Sequence, residues 1–182
     1  MKRVTKLTNQ DKGNAGENLT KKMFNLSGTG GSGVGAYDKL DCKNQWIKSE
    51  TKCTGRSFYQ LSIEKFEKWR LQATEDRRQF FLHLIPENQG KLDWDQSLIV
   101  ITEAYFIALT PDIEKLAYSH EFVNKSHKVE FGTLQQLEYR EHLQAALPST
   151  LEEIERLTTP TGSGLIVLRA PYFKELLEKD DA

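Results

Sequence analysis

The chain has 182 residues, a formal net charge of −1 and 28% charged residues, which fits one domain, or one core domain with an elaboration, able to bury its own core. Its longest apolar stretch, 97–109, is broken by Thr102 and Glu103, which excludes a membrane-spanning helix. No apolar run follows the charged start Met1-Lys2-Arg3, so no signal peptide is expected. The two cysteines, Cys42 and Cys53, match no zinc spacing, and a reducing cytoplasm suits them.

In chain order, residues 1–12 are polar and charged and are expected to form a flexible basic arm. Ala15, Leu19, Met23 and Leu26 recur at helical spacing and predict a first helix over 14–26. The glycine-rich run 28–35 is expected to interrupt regular structure. Strands follow at about 37–43 and 46–54, with Asn44-Gln45 as a tight turn. Ser62 has the character of an N-cap for a helix to about Asp76, with Ile63, Phe66 and Ala73 on one face. Residues 79–85 form an apolar strand closed by Pro86-Glu87-Asn88-Gln89-Gly90. The segment 13–89 is thus a compact α/β core. Residues 90–182 are an elaboration of the same domain, with strands at 98–101, 105–109 and 165–168. Helices are expected there at 134–146 and 151–157, and at 171–178 behind Pro171.

Charge is unevenly placed. Residues 1–80 hold 16 Lys/Arg against 9 Asp/Glu, and residues 81–182 hold 9 against 17. Such asymmetry is a hint of a nucleic-acid-facing half, with the acidic half turned away, although chance clustering on a solvated surface produces it too.

The chemistry concentrates between Leu40 and Lys52. With a two-residue turn at Asn44-Gln45, Lys43 pairs with Trp46 and Asp41 with Lys48. Asp41, Lys48, Glu50 and Lys52 then share one face, and Asp41 and Glu50 are diagonal neighbours roughly 7–8 Å apart. Two carboxylates suit a hard cation such as Mg²⁺, which activates water and neutralises phosphate charge; a lysine beside them can stabilise the transition state. The same alternation of charges also fits an ordinary solvent-facing strand pair.

Asp41, nine residues, then Glu50-Thr51-Lys52 resembles the PD-(D/E)xK nuclease motif. The context is similar as well: a helix carrying Gly16-Glu17-Asn18-Leu19, a Gly31-Ser32-Gly33 loop, and Lys52-Cys53-Thr54-Gly55-Arg56-Ser57-Phe58 leading into a helix. The resemblance is strongest to Holliday-junction-resolvase-type members and their phage-encoded relatives, and covers about residues 13–85. It implies a restriction-endonuclease-like α/β fold, a central mixed sheet flanked by helices. The implied activity is Mg²⁺-dependent hydrolysis of DNA phosphodiester bonds, with Mn²⁺ able to substitute. Asp41 and Glu50 would be metal ligands with the carbonyl of Thr51 as a third, Lys52 the catalytic lysine, and Glu17 the helix glutamate. Lys48 and Arg56 would contact nucleic acid. The implied partners are DNA, branched DNA included, and a second copy of the chain in a homodimer; the compartment would be a host cytoplasm for a phage-encoded chain. Leu40 stands where the name-giving proline would be. Asp38 is a rival ligand on the opposite strand face, and Asp41 is favoured because a tight turn then suffices. A non-catalytic nucleic-acid- or protein-binding module on the same fold is the alternative.

Other candidates have plain readings. Asn14 and Glu17 have capping-box spacing, so Glu17 is either a cap or a site residue. Residues 28–33 satisfy GxGxxG, but follow a helix and precede a strand, which rules out a dinucleotide site. Asp93-Trp94-Asp95 reads as a polar turn. His83, His120, His127 and His142 form no ligand spacing, and His83 reads as a satisfied core or edge residue. Arg56, Lys65, Lys68 and Arg70, with Phe58 and Tyr59, form either a phosphate track or a solvated helix face.

Overall fold

The structure, a computed structural model, describes residues 8–29, 40–111, 120–132 and 154–180. The predicted loop 31–33, the rival Asp38, the helix at 134–146 with His142, and residues 1–7 of the arm lie outside the described residues.

The first helix, α1 (Asn9–Phe24), starts earlier than the apolar spacing predicts, because Thr8 is the N-cap and forms a capping box with Asp11. The capping role expected of Asn14 and Glu17 is therefore overturned, and Glu17 sits inside the helix. Its buried stripe is Gly16, Thr20 and Phe24, one position round from the predicted Ala15, Leu19 and Met23. The chain then forms β1 (Ser27–Gly28), β2 (Cys42–Lys43), β3 (Ile47–Thr54) and β4 (Phe58–Ser62). Gly28 thus begins the glycine-rich run inside a strand, not a loop. Ser62 caps α2 (Ile63–Glu75), its side chain accepting the Lys65 N–H, and Ile63, Phe66 and Ala73 are buried as predicted.

Next come β5 (Gln79–Asn88), β6 (Lys91–Leu92), β7 (Leu98–Thr102) and α3 (Glu103–Leu109). The second half continues with β8 (His120–Phe122), β9 (Ser126–Glu130), β10 (Ile154–Thr158), β11 (Gly164–Arg169) and α4 (Ala170–Asp180). Strand β5 runs through Pro86, where a stop was expected: Pro86 lies near its end, opposite Thr54 at the last pair with β3, and its carbonyl accepts the Asp93 N–H. Two elements differ in kind from expectation. Residues 105–109 are helical, because Thr102 caps them by accepting the Tyr105 N–H, and Tyr105, Phe106 and Leu109 make one buried helical stripe. The predicted helix at 151–157 is a strand from Ile154 onward. Ile154 and Leu157 sit three apart as on a helix face, yet they point to opposite sides of an interior strand, each into a different core.

Among the described residues nine strands form one mixed sheet, in the order β1-β2-β3-β5-β7-β11-β10-β8 with β6 on β5, and four helices flank it. Strands β3 and β5 are parallel and in register from Ile47–Gln79 to Thr54–Pro86, joined through α2. The sheet has two cores. Phe81, Ile99, Ile101, Ile166 and Leu168 pack under α1, α3 and α4; Phe80, Leu82, Leu84, Val100 and Val167 pack under α2 and a separate antiparallel ribbon of β4 and β9. No helix among the described residues is long and apolar enough to cross a membrane.

Helix α1 approaches β3 closely at Gly16, where an added Cβ would lie 2.2 Å from Cys53 Sγ and 3.3 Å from Thr51 Cγ2. Alanine gains about 1 kcal/mol of helix propensity over glycine, but overpacking of this kind costs about 1–3 kcal/mol. Gly16→Ala is therefore expected to lower the urea midpoint, and adding Cys53→Ala to restore most of the loss. A Gly16→Ala chain as stable as the wild type would show that α1 can shift freely on the sheet.

Candidate active site

The hairpin between β2 and β3 is longer than a two-residue turn. Asn44 accepts the N–H groups of both Trp46 and Ile47 through its side chain and donates its own N–H to the Ile47 carbonyl, an Asx-type turn that consumes two more residues. Lys43 therefore pairs with Lys48, and Cys42 with Ser49, rather than Lys43 with Trp46 and Asp41 with Lys48. A slip of two keeps every side chain on its face, so Lys48, Glu50 and Lys52 still share one.

Strand β2 is short, and past Ser49 the β2-side edge of β3 meets Asp41 instead of a continued ladder. Asp41 donates its N–H to the Ser49 carbonyl, and its Oδ2 accepts the Thr51 N–H at 2.8 Å. Thr29 holds it from behind, its hydroxyl donating to the Leu40 carbonyl at 2.5 Å and its N–H to the Asp41 carbonyl. Leu40 itself is fully buried. Glu17 reaches this edge from α1, and Glu50 from the opposite face of the sheet. Lys52 Nζ lies 2.5 Å from Glu50 Oε1 and 5.5 Å from the centre of the Trp69 ring on α2.

The electrostatics mark the cluster as one unit. Burial, then the Asp41 charge, pushes Glu50 from 4.5 up to about 7, against the pull of Lys52. Burial raises Asp41 as well, opposed by the Thr51 N–H and by Lys52 and Lys21. Glu17 is raised by burial and by Asp41. Burial works against the Lys52 ammonium, but Glu50 and Asp41 outweigh it and hold its pKa above the ordinary lysine value. Tyr59 on β4 is raised by burial, with Lys52 opposing and Glu50 adding, which places it beside the pair.

Of the residues predicted for the site, Glu17, Asp41, Glu50 and Lys52 are brought together, and Thr51 joins them through its backbone. Lys48 shares the strand face but is buried and salt-bridged to Asp76, so its ammonium is engaged inside the fold and not presented to a phosphate. Arg56 is exposed beyond the end of β3, over the Phe58 ring. Sequence reasoning passed over Lys21, although it stands one helical turn after Glu17 and acts on Glu17 and Asp41. It passed over Trp69 too, which only the packing of α2 brings to Lys52.

Several other candidates have structural roles. His83 is fully buried between Thr20 Oγ1 at 2.7 Å and Ser97 Oγ at 3.1 Å. Burial drives its pKa down to about 3, so the ring is neutral and ties α1 to β5. Asp93 caps a turn by accepting the Gln96 N–H, and Trp94 packs on Phe24 and His83. His127 pairs with Glu155 at 2.9 Å. Arg70 is bound to Glu67, which removes it from a phosphate track.

As they stand, Asp41 Oδ2 is bonded to Thr51 and Glu50 Oε1 to Lys52, and among the described residues no three His, Cys, Asp or Glu side chains are arranged to hold a metal ion. The donor set nevertheless fits a hard cation: it is all oxygen and anionic, and Glu50 Oε2 is buried with no hydrogen-bond partner among the described residues. In comparisons with family models, with curated proteins and with solved structures, nothing matches the chain.

Raised carboxyl pKa values have a stability consequence. A carboxyl that binds its proton more tightly folded than unfolded costs the fold stability as pH climbs from the unfolded pKa to the folded one, and the cost persists above it. For Glu50 the window runs from 4.5 to about 7, with a ceiling of about 3 kcal/mol. Glu50→Gln removes the cost and leaves the Lys52 side chain, 37% exposed, to solvent. In metal-free buffer the variant is expected to melt above the wild type at about pH 8, by roughly 2–4 °C per kcal/mol recovered, with the gap closing toward about pH 5. Equal melting temperatures across that range would mean that Glu50 is not burdened by burial.

Proposed function

We propose that the chain is a divalent-metal-dependent endonuclease that hydrolyses DNA phosphodiester bonds, with a restriction-endonuclease-like core of the PD-(D/E)xK kind. The observation that carries this reading is the meeting of Glu17, Asp41 and Glu50 with Lys52 at the open edge of β3. The carboxylate pKa values there are all raised by burial, and the Asp41 charge adds to the rise at Glu17 and Glu50. A buried, perturbed carboxyl such as Glu50 with a second charged group beside it is a candidate functional group. The order of elements supports the same reading: a helix bearing a glutamate, a hairpin bearing Asp41 and Glu50-Thr51-Lys52, then a helix and a parallel strand.

Asp41 and Glu50 would hold the cation, Mg²⁺ with Mn²⁺ as a substitute, together with the Thr51 carbonyl. When bound, the cation would neutralise charge on the phosphate and make water a better nucleophile. Asp41 is held for this by three backbone contacts, to Ser49, Thr51 and Thr29. Lys52, lying over Trp69 and walled by Tyr59, donates to the attacking water or to an equatorial phosphate oxygen. Glu17, its carboxyl raised, orients water from the α1 side. Arg56 contributes phosphate contact at the rim, and branched DNA is the substrate that the resemblance suggests. The alternative, a binder without catalysis, has no use for buried acids beside a polyanion, which would only repel it.

Three substitutions test the assignment on plasmid and branched DNA with and without Mg²⁺. Lys52→Ala is expected to slow cleavage by about 10²–10³-fold, the usual loss for one transition-state donor. Asp41→Asn and Glu50→Gln should abolish cleavage with the far-ultraviolet spectrum unchanged. Near wild-type cleavage by any of the three, purified and folded, removes it from the catalytic machinery. Absence of Mg²⁺-dependent cleavage by the wild type on every DNA form favours the binder.

A further inference from the structure

The antiparallel ribbon of β4 and β9 brings a strand of the acidic half against the active site. Its inner face is anchored: Leu61 and Val129 are buried, and His127 is joined to Glu155 of β10. Its outer face presents Phe58, Gln60 and Ser62 beside Ser126, Lys128 and Glu130, in register. There the half-buried Phe58 ring has Arg56 Cζ 6.0 Å and Lys128 Nζ 4.9 Å from its centre. Arg56 makes no ion pair among the described residues, and Lys128 is bound at 2.5 Å to Glu130, both about half exposed. An exposed pair of that kind is worth little and yields readily to a phosphate. The next residue along β4, Tyr59, lies on the inner face with Leu61 and feels the charges of Lys52 and Glu50.

From this we infer that the outer face of the ribbon is a stacking platform for an unpaired nucleic-acid strand, leading it over the edge of β4 toward Lys52. The inference rests on the nuclease reading and supplies its substrate class: nucleic acid with a single-stranded segment next to the bond that is cut. A duplex hides its base faces in its own stack and offers phosphates and groove edges. A half-buried aromatic ring with two mobile cations over it matches what a single strand alone offers, a free base face between phosphates. Gln60, bonded to Ser126 Oγ at 2.9 Å, keeps the face flat beside the ring.

The test is binding by the full chain carrying Glu50→Gln, in chelator, to a labelled oligothymidylate and to a blunt duplex of equal length. Oligothymidylate is expected to bind more tightly than duplex. Phe58→Leu should weaken oligothymidylate binding about tenfold, and duplex binding less than about twofold, while Phe58→Tyr keeps both. Arg56→Gln with Lys128→Gln should make the salt dependence for oligothymidylate shallower by about 0.7 per lost phosphate contact. Unchanged oligothymidylate affinity in a folded Phe58→Leu chain, equal losses on both ligands, or tighter binding to duplex would each overturn the platform. The two readings fail separately. Phe58-dependent oligothymidylate binding by a wild type that never cleaves keeps the platform without the nuclease. Mg²⁺-dependent cleavage with binding indifferent to Phe58 does the reverse.

Discussion

A glutamate buried in the face of a sheet has to be answered by a cation, and the pairing of Glu50 with Lys52 is the contact around which the site is arranged. Glu50 lies where β3 is held on one edge by β5, in parallel register over the whole length of β3, and met on the other by Asp41. Lys52 is two residues on and so on the same face, while Lys48, two residues back on that face, is taken up by Asp76. Trp69 then gives the ammonium an aromatic surface to lie on, worth about 0.5–2 kcal/mol depending on how far it is desolvated. The helix that carries Trp69 is the crossover between β3 and β5, so the parallel pairing positions both the charge pair and the ring that steadies it.

The opposite face solves a different problem. Glu17 can approach the same edge only if α1 lies close to β3, and Gly16 permits that by leaving room for Cys53 and Thr51. Thr20 extends the contact inward, its hydroxyl within hydrogen-bond distance of Thr51 Oγ1 and of the neutral His83. Polar groups buried here are satisfied by one another, which fixes the rotation of α1 about its axis. A glutamate one residue from the glycine is thereby aimed by packing, with no contact of its own needed to hold it.

Much of the core of the site was legible because strand alternation is robust to error. The turn at Asn44 was read two residues too short, yet a shift of two leaves Glu50 and Lys52 on their shared face. Asp41 was also legible, though its position depends on Thr29 and on a carboxylate-to-backbone bond that no spacing reveals. The capping of α1 was misread because Asn14-Ala15-Gly16-Glu17 and Thr8-Asn9-Gln10-Asp11 carry the same pattern, and only the earlier one begins the helix. At Ile154 and Leu157 a strand buried on both faces imitated helical periodicity, since an interior strand has no polar side to betray it. Trp69 and Lys128 lie far along the chain from Lys52 and Phe58, which they approach, and no local pattern could have joined them.

Charge asymmetry along the chain does not divide the fold into two separate surfaces. The basic half was expected to face nucleic acid and the acidic half to face away, but β9 comes from the acidic half and pairs along the full length of β4. The outer face of the ribbon is therefore built from both halves, with Arg56 contributed by one and Lys128 by the other. Lys48, counted with the basic half, is withdrawn into the fold by Asp76. What matters to a polyanion is the field at the rim of the site, screened over about 10 Å at ordinary salt. The topology sets two cations, Arg56 and Lys128, over one aromatic ring on the outer face of the ribbon. Acids alone would repel a phosphate chain, so a nuclease built this way needs a cation to reverse the sign at the centre. On the nuclease reading proposed above, it would also need a separate basic and aromatic surface to hold the strand, and the ribbon would offer one without adding positive charge to the cluster itself.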